Sequence, residues 1–326
     1  MEYAPLAVFA CKRPEHLRNL LASLKSNEEA ASSDLTIFIG GPKNSDDWPK
    51  VHETVTIAEA IAGFKSVKVR KAFEITGASD LIKFGIDSVL TEFNSVIVLE
   101  DDLLVRRDFL LYMNTSLIQY QDDPRIGQIS GWNFGIIKPS SPKETYFMQN
   151  NTSWGWATWR RVWNPNPNII EDFRWLVAKS ARIHRFNMNE TSDCLGMVEA
   201  VLRDGYDAWD VCWYLECFRK NLLVLYPNSS LIINAGFDGT GCNFDFSFDW
   251  NKDFVELPQD SFIFPNTVQV SKSKKIFLNH HRNWVRASIN KRFLLPHAVA
   301  RKMRQHIKYY KKGFYISHEN PQEYAN

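Results

Sequence analysis

Between residues 6 and 99 the chain alternates between two hydrophobic periods, and that alternation limits the folds open to it. Residues 6–10 form a short apolar run, and residues 16–24 carry Leu17, Leu20, Leu21 and Leu24 at helical spacing. A second apolar run at 35–39 ends in the breakers Gly40-Gly41-Pro42. Helical spacing returns at 51–64 and 78–90, with strand-like runs at 66–69 and 95–99. Strands that are apolar throughout and separated by helices predict an α/β fold with a largely parallel sheet covered on both faces. Ligands of such sheets bind beyond the carboxyl ends of the strands.

Glu100-Asp101-Asp102 stands at one such end, directly after Val96-Ile97-Val98-Leu99. Carboxylates this close raise one another's pKa unless a cation neutralises them, and a divalent metal holding a diphosphate is a natural candidate. The plainer alternative is that Asp101 or Asp102 caps a helix through residues 109–117. Both readings fit the triplet taken alone.

Composition narrows the partners. The 326 residues are 44% hydrophobic and 13% aromatic, enough for one large domain or one domain with an elaborated lobe. Lys and Arg total 39 against 37 for Asp and Glu, so the net charge of +2 argues against a nucleic-acid binder working through a strong whole-chain field. Cys11, Cys194, Cys212, Cys217 and Cys242 are odd in number and form no CxxC pair, which reads as reduced thiols. The apolar start at 4–11 runs into Lys12-Arg13 without a leader-like cleavage site, and no run approaches the ~20 apolar residues of a membrane span. A cytoplasmic protein is expected, with peripheral contact at the inner face of the membrane as a further possibility.

The middle of the chain is rich in tryptophan: Trp132, then Trp154, Trp156, Trp159 and Trp163, then Trp209 and Trp213. Such rings can wall a carbohydrate site, with Gly155 allowing close backbone approach, or wedge two lobes together as core, and the two roles can hold together. Residues 207–216 read as a helix start with Asp210 in the first turn. Asp210 there is either a general base toward an acceptor hydroxyl or, with Asp207, a helix cap. The glycine-rich stretch 234–242 offers backbone amides to phosphate or sugar oxygens. His280 and His281 are candidate metal or diphosphate contacts, with structural roles as the alternative. Residues 286–312 are basic and amphipathic, suited to an anionic membrane surface or to a solvated helix packed on the domain.

Taken in order, Ala10-Cys11-Lys12-Arg13, Val98-Leu99-Glu100-Asp101-Asp102-Leu103, Trp154-Gly155-Trp156, Trp209-Asp210 and residues 236–241 resemble a bacterial-type glycosyltransferase group related to N-acetylglucosaminyltransferase I. The resemblance covers roughly residues 4–245. It implies a GT-A fold, Rossmann-like, with a mostly parallel central sheet flanked by helices over residues 1–284. The nucleotide-binding half would be about 1–130 and the acceptor-side half about 131–284; the basic amphipathic pattern, which lies outside the resemblance, gives a helical basic extension at 285–326. It further implies Asp102 as ligand of a divalent metal, Mn2+ first and Mg2+ second. Asp101 would meet the donor's ribose or sugar, Glu100 the sugar side of the pocket, Arg13 the nucleotide and Trp209 the transferred sugar. Gly239, Thr240 and Trp154 complete the implied donor set. Asp210 would be the catalytic base, with Glu216 next in line.

The implied reaction moves GlcNAc or a similar hexose, with inversion, from a UDP-linked donor to the hydroxyl of a glycan or lipid-linked glycan. One departure stands out: where the group carries an acid for the uracil, this chain has Gly40. A non-catalytic carbohydrate-binding module on a degenerate transferase fold remains open, and so does a nucleotidyltransferase, although residues 10–14 lack the glycines of a phosphate loop.

Overall fold

The computed structural model describes residues 3–133, 141–164, 167–188, 192–238 and 260–271. In chain order these give β1 (Leu6–Ala10), α1 (Pro14–Lys25), β2 (Asp34–Gly40), α2 (Trp48–Ala60), β3 (Ser66–Ala72), α3 (Ala78–Glu92), β4 (Ser95–Glu100), β5 (Leu103–Val105), α4 (Phe109–Gln119) and β6 (Ile126–Ser130). There follow β7 (Thr145–Met148), β8 (Trp156–Trp159), α5 (Ile169–Val177), α6 (Ser180–Phe186), α7 (Cys194–Asp204), α8 (Trp209–Arg219), β9 (Leu223–Pro227) and β10 (Ile232–Asn234). Gly239, Thr240, Cys242, His280, His281 and the basic segment 286–312 lie outside the described residues.

An eight-stranded sheet has the order β3-β2-β1-β4-β8-β6-β9-β7. The first four strands pair in parallel, β8 is antiparallel to both its neighbours, β9 is parallel to β6, and β7 is antiparallel to β9. All strands except β7 and β8 therefore run one way. This is the α/β architecture expected from the sequence, a mostly parallel central sheet flanked by helices. The apolar runs of β1, β2 and β4 are buried as such a sheet requires, with Leu6, Val8, Ile37, Val96 and Ile97 among the fully enclosed side chains. Edge strand β3 instead presents charge, with Lys68 and Lys71 paired to Glu92 and Glu59, which discourages further strand pairing.

Chain direction decides where a ligand can sit. Crossovers carry β1 to β2 and β2 to β3 in one direction along the sheet, and the connection through α3 then returns the chain past β1 to β4; the right-handed rule for such connections puts α3 on the face opposite α1 and α2. The order reverses between β1 and β4, so the loops leaving these two strands splay apart and leave a crevice. Pro14 at the first position of α1 suits the turn out of β1, because its missing N–H would have had no helical partner. On the other face Gly85 lets α3 close on the sheet, since a Cβ there would lie 2.3 Å from the Phe9 ring. Phe9 in turn stacks on Phe38 at 5.2 Å.

Helix α8 is held from two sides. Trp209, Trp213 and Cys217, spaced four apart, enter the main core over the sheet, whereas Val211, Leu215 and Phe218 enter a second cluster with Leu176, Phe186 and Leu195 of the surrounding helices. Arg219 pairs with Glu171 at 2.7 Å and with Asp172, tying α5 to α8. Among the described residues, no helix is long and apolar enough to cross a membrane.

Candidate functional site

The crevice between β1 and β4 is where the acidic triplet lies. The Asp101 amide donates to the Phe9 carbonyl at 3.0 Å, fixing the turn beyond β4 against the end of β1. Arg13, three residues past β1, reaches across: Nη1 donates to Asp102 Oδ2 at 2.9 Å and Nη2 to Asp101 Oδ1. The guanidinium is 20% exposed and the two carboxylates 4% and 17%, so the pairing is shielded enough that removing Arg13 would strand two charges. Arg13 accordingly has its pKa raised: burial opposes its charge, but Asp101 and then Asp102 overcome that.

The helix-capping alternative for the triplet is overturned. Asp101 and Asp102 lead into β5, and the residue before α4 is Asp108, whose carboxylate is engaged by Arg106 at 2.6 Å and 2.7 Å. Asp102 is locked from the far side as well. Its carbonyl accepts from the Ala235 amide at 2.7 Å, and a Cβ on Gly236 would lie 2.4 Å from its Oδ2. Gly236 thus keeps space at the Asp102 carboxylate, a reason for glycine distinct from the exposed amides expected of this loop.

The electrostatics mark a site short of positive charge. Burial pushes Glu100 up to about 8, reinforced by Asp102, Asp101 and Asp210 and only partly offset by Arg13. Burial also raises Asp101 to about 6, against the pull of Arg13; with the guanidinium in contact, Asp101 stays ionised at neutral pH. Asp210, at the start of α8, is raised by burial against the opposing hydrogen bond from the Val211 amide. Its charge is among those that raise Glu100, which links the start of α8 electrostatically to the triplet. An open cleft of about 320 Å³ adjoins these groups, lined by Glu15, His16, Asn19, Asp101, Asp102, Leu104, Ala235 and Asp238. Within it His16 Nε2 lies 3.3 Å from Asp238. Sequence reading gave neither a role: Asp238 lies within the 236–241 motif without one of its own, His16 lies outside every motif, and only the fold makes them neighbours.

Other expected site residues fall elsewhere. Glu216 is buried in α8 and its Oε1 takes Lys220 at 2.5 Å. Six residues beyond Asp210, it sits about 9 Å further along the helix axis on a different face. Trp209 is buried and stacked on Trp156 at 5.4 Å, and Trp156, Trp163 and Trp213 complete an aromatic cluster. These four rings pack on one another within the main core, Trp163 only partly buried. Trp154 stands apart, half-buried and edge-on to Trp132 at 4.8 Å. Gly155, at φ +53°, is required by its backbone and by the Ile232 side chain, which a Cβ would meet at 2.1 Å, so its close approach is to protein.

Asp207 and Asp210 do not cap α8, whose N-cap is Ala208. Asp207 instead accepts from the Ala78 and Ser79 amides at the start of α3. At the departure noted above, a Cβ on Gly40 would lie 3.0 Å from both the Ile75 carbonyl and Leu81, so a side chain here requires these neighbours to give way by a few tenths of an ångström.

Could these residues hold a divalent metal? Among the described residues no three His, Cys, Asp or Glu side chains converge into a metal-binding group. Asp102 is a hard oxygen donor beside open space, and Mg2+ or Mn2+ at nucleotide sites commonly takes one or two carboxylates, with phosphate oxygens and water completing the shell. The residues fit such a metal when a diphosphate shares it.

No protein-family model matches the chain. Among solved structures, it is similar to the mannosyltransferase PcManGT from Pyrobaculum calidifontis, solved with GDP-Man and Mn2+, at 12% identity and a TM-score of 0.36, over 66% of this chain and 70% of that one. It is also similar to S. aureus TarS, at 10% identity and a TM-score of 0.41, over 70% of this chain and 36% of TarS.

Proposed function

We propose that this chain is a metal-dependent, inverting glycosyltransferase of the GT-A type, using a nucleotide-diphosphate sugar and a glycan or lipid-linked glycan acceptor. The observation that carries this reading is the convergence of Arg13, Asp101 and Asp102 at the β1–β4 crevice; Asp210, at the start of α8, adds to the negative charge felt by Glu100. The motif order shared with the group related to N-acetylglucosaminyltransferase I supports it. Asp102, kept open by Gly236, would hold Mn2+ or Mg2+, which when bound supplies positive charge to a departing diphosphate.

This chain's own residues do the rest. Arg13, released from its two carboxylates, places its guanidinium beside the donor's phosphates or ribose. Asp101 and Glu100 then accept from, or donate to, sugar hydroxyls. Asp210 takes the proton of the acceptor hydroxyl as that oxygen attacks the anomeric carbon, and burial makes it a stronger base than an ordinary carboxylate. A hexose such as GlcNAc carried by UDP is the donor we favour, with the uracil read without an acid at position 40.

The test is thermal unfolding with UDP and GDP, with and without Mn2+. Wild type should gain stability from a nucleoside diphosphate only when Mn2+ is present, by about 2.7 kcal/mol at a hundredfold excess over Kd. Asp102→Asn should lose the metal-dependent part and keep its fold. Equal shifts in the two proteins would sink the assignment of the metal to Asp102.

A further inference from the structure

The first turn of α3 is held by a residue from the other end of the fold. Its N-cap, Gly77, has no side chain to offer, and the Ala78 and Ser79 amides donate instead to Asp207 Oδ2 and Oδ1, each at 3.0 Å, across 129 and 128 residues of sequence. Two amides at the positive end of a helix bind a carboxylate well, and the pair is bidentate. The Asp207 carboxyl accordingly lies below its ordinary value: burial pushes it up, but Ser79, the Ala78 amide and the Lys43 charge outweigh that.

Asp207 is placed to serve its own helix and does not. Helix α8 begins two residues later at Trp209, which stacks on Trp156 and is followed by Asp210; its N-cap, Ala208, has no side chain that can cap. The start of α8 is therefore pinned at Asp207 on one side and at Trp209 on the other, with Asp210 next to the second pin. From α3 the connection continues through the loop after β3, where the Ile75 carbonyl accepts from the Gly41 amide at 2.8 Å beyond the end of β2.

We infer that Asp207 is a positioning residue for Asp210, tying the base-bearing turn of α8 to the strand ends of the nucleotide-binding side. This rests on the reading of Asp210 as the base. A base must come to about 3 Å from the hydroxyl it deprotonates, and a misplacement of about 1 Å can cost about a hundredfold in rate.

A plain helix cap and a positioning tether are separated by giving α3 a cap of its own. The backbone of Gly77, at φ −94° and ψ 137°, suits a capping aspartate, and a Cβ there meets only ordinary contacts, at 3.4 Å from Asp207 and 3.6 Å from Asp80. Asp207→Ala should lower kcat about 10- to 100-fold, with the donor KM changed by less than about threefold. Asp207→Asn, which keeps one carbonyl acceptor, should fall between. The double variant Gly77→Asp with Asp207→Ala should regain the lost melting temperature but not kcat, and amides 210–213 should still exchange faster than in wild type. Recovery of both kcat and amide protection in the double variant would overturn the tether. If wild type transfers no sugar from any donor, the glycosyltransferase reading falls instead, and exchange at 210–213 alone decides whether Asp207 tethers α8.

Discussion

Asp210→Asn is expected to abolish most sugar transfer while leaving a protein that melts no lower than wild type at neutral pH. Loss of a positioned general base costs about 10²- to 10⁴-fold in rate. Donor binding should persist, because Arg13 and the acids at 100–102 are untouched. The stability half follows from linkage. Burial raises the folded-state pKa of Asp210 above its ordinary 3.8, so the folded chain holds that proton more tightly than the unfolded chain does. The stabilisation is fully present below the ordinary value and is lost as pH rises through the raised one, leaving a buried charge at neutral pH that Asn does not carry. For the same reason, the wild-type rate should fall on the acid side at a pH above the usual aspartate range. Single-turnover kinetics and thermal unfolding across pH check both halves. A large loss of stability at neutral pH together with lost turnover would make Asp210 a structural residue.

Trp156→Ala is expected to destabilise the fold by about 3–5 kcal/mol, a large share of a domain's total stability. Trp156 is fully buried on β8, the strand that joins the parallel half of the sheet to β6. Its ring stacks on Trp209 and lies 6.0–6.2 Å from Trp213 and Trp163, so truncation opens a cavity that three rigid rings cannot fill. Among the described residues its Nε1 has no hydrogen-bond partner, so most of the loss is packing. Because Trp209 precedes Asp210, the variant should also lose activity at temperatures where it remains folded. Denaturant unfolding measures the first effect. A loss below about 1 kcal/mol would show that the aromatic cluster is not the packing centre proposed here.

What the sequence made legible was local and periodic. The runs that became β1, β2, β3 and β4 and the helical stretches between them lie within a few residues of the observed elements, because a strand buried on both faces must be apolar throughout. From that alternation the crevice and the triplet at its lip followed. The second half was less readable. Strand β8 is four residues inside a tryptophan-rich stretch that reads equally as ligand wall or core, and only its pairing with Val96, Ile97 and Val98 shows it to be sheet. The β5–β10 ribbon, which fixes Asp102 through Ala235, joins short segments about 130 residues apart that carry no periodic signal. Asp207 looked like a cap and is one, but of a helix far away in sequence. Tertiary capping and ion pairing such as Arg13 with Asp101 and Asp102 depend on which loops meet, and local pattern does not encode that.

The most direct test of the central claim is a panel of nucleotide-sugars, including UDP- and GDP-linked hexoses, assayed for release of the nucleoside diphosphate by the full chain. The account predicts release from at least one member that requires Mn2+ or Mg2+, stops with a chelator, and is lost in Asp102→Asn. Release that survives the chelator and the substitution unchanged, or none from any member with either metal, would contradict a nucleotide-sugar site at Arg13 and the acids that follow β4.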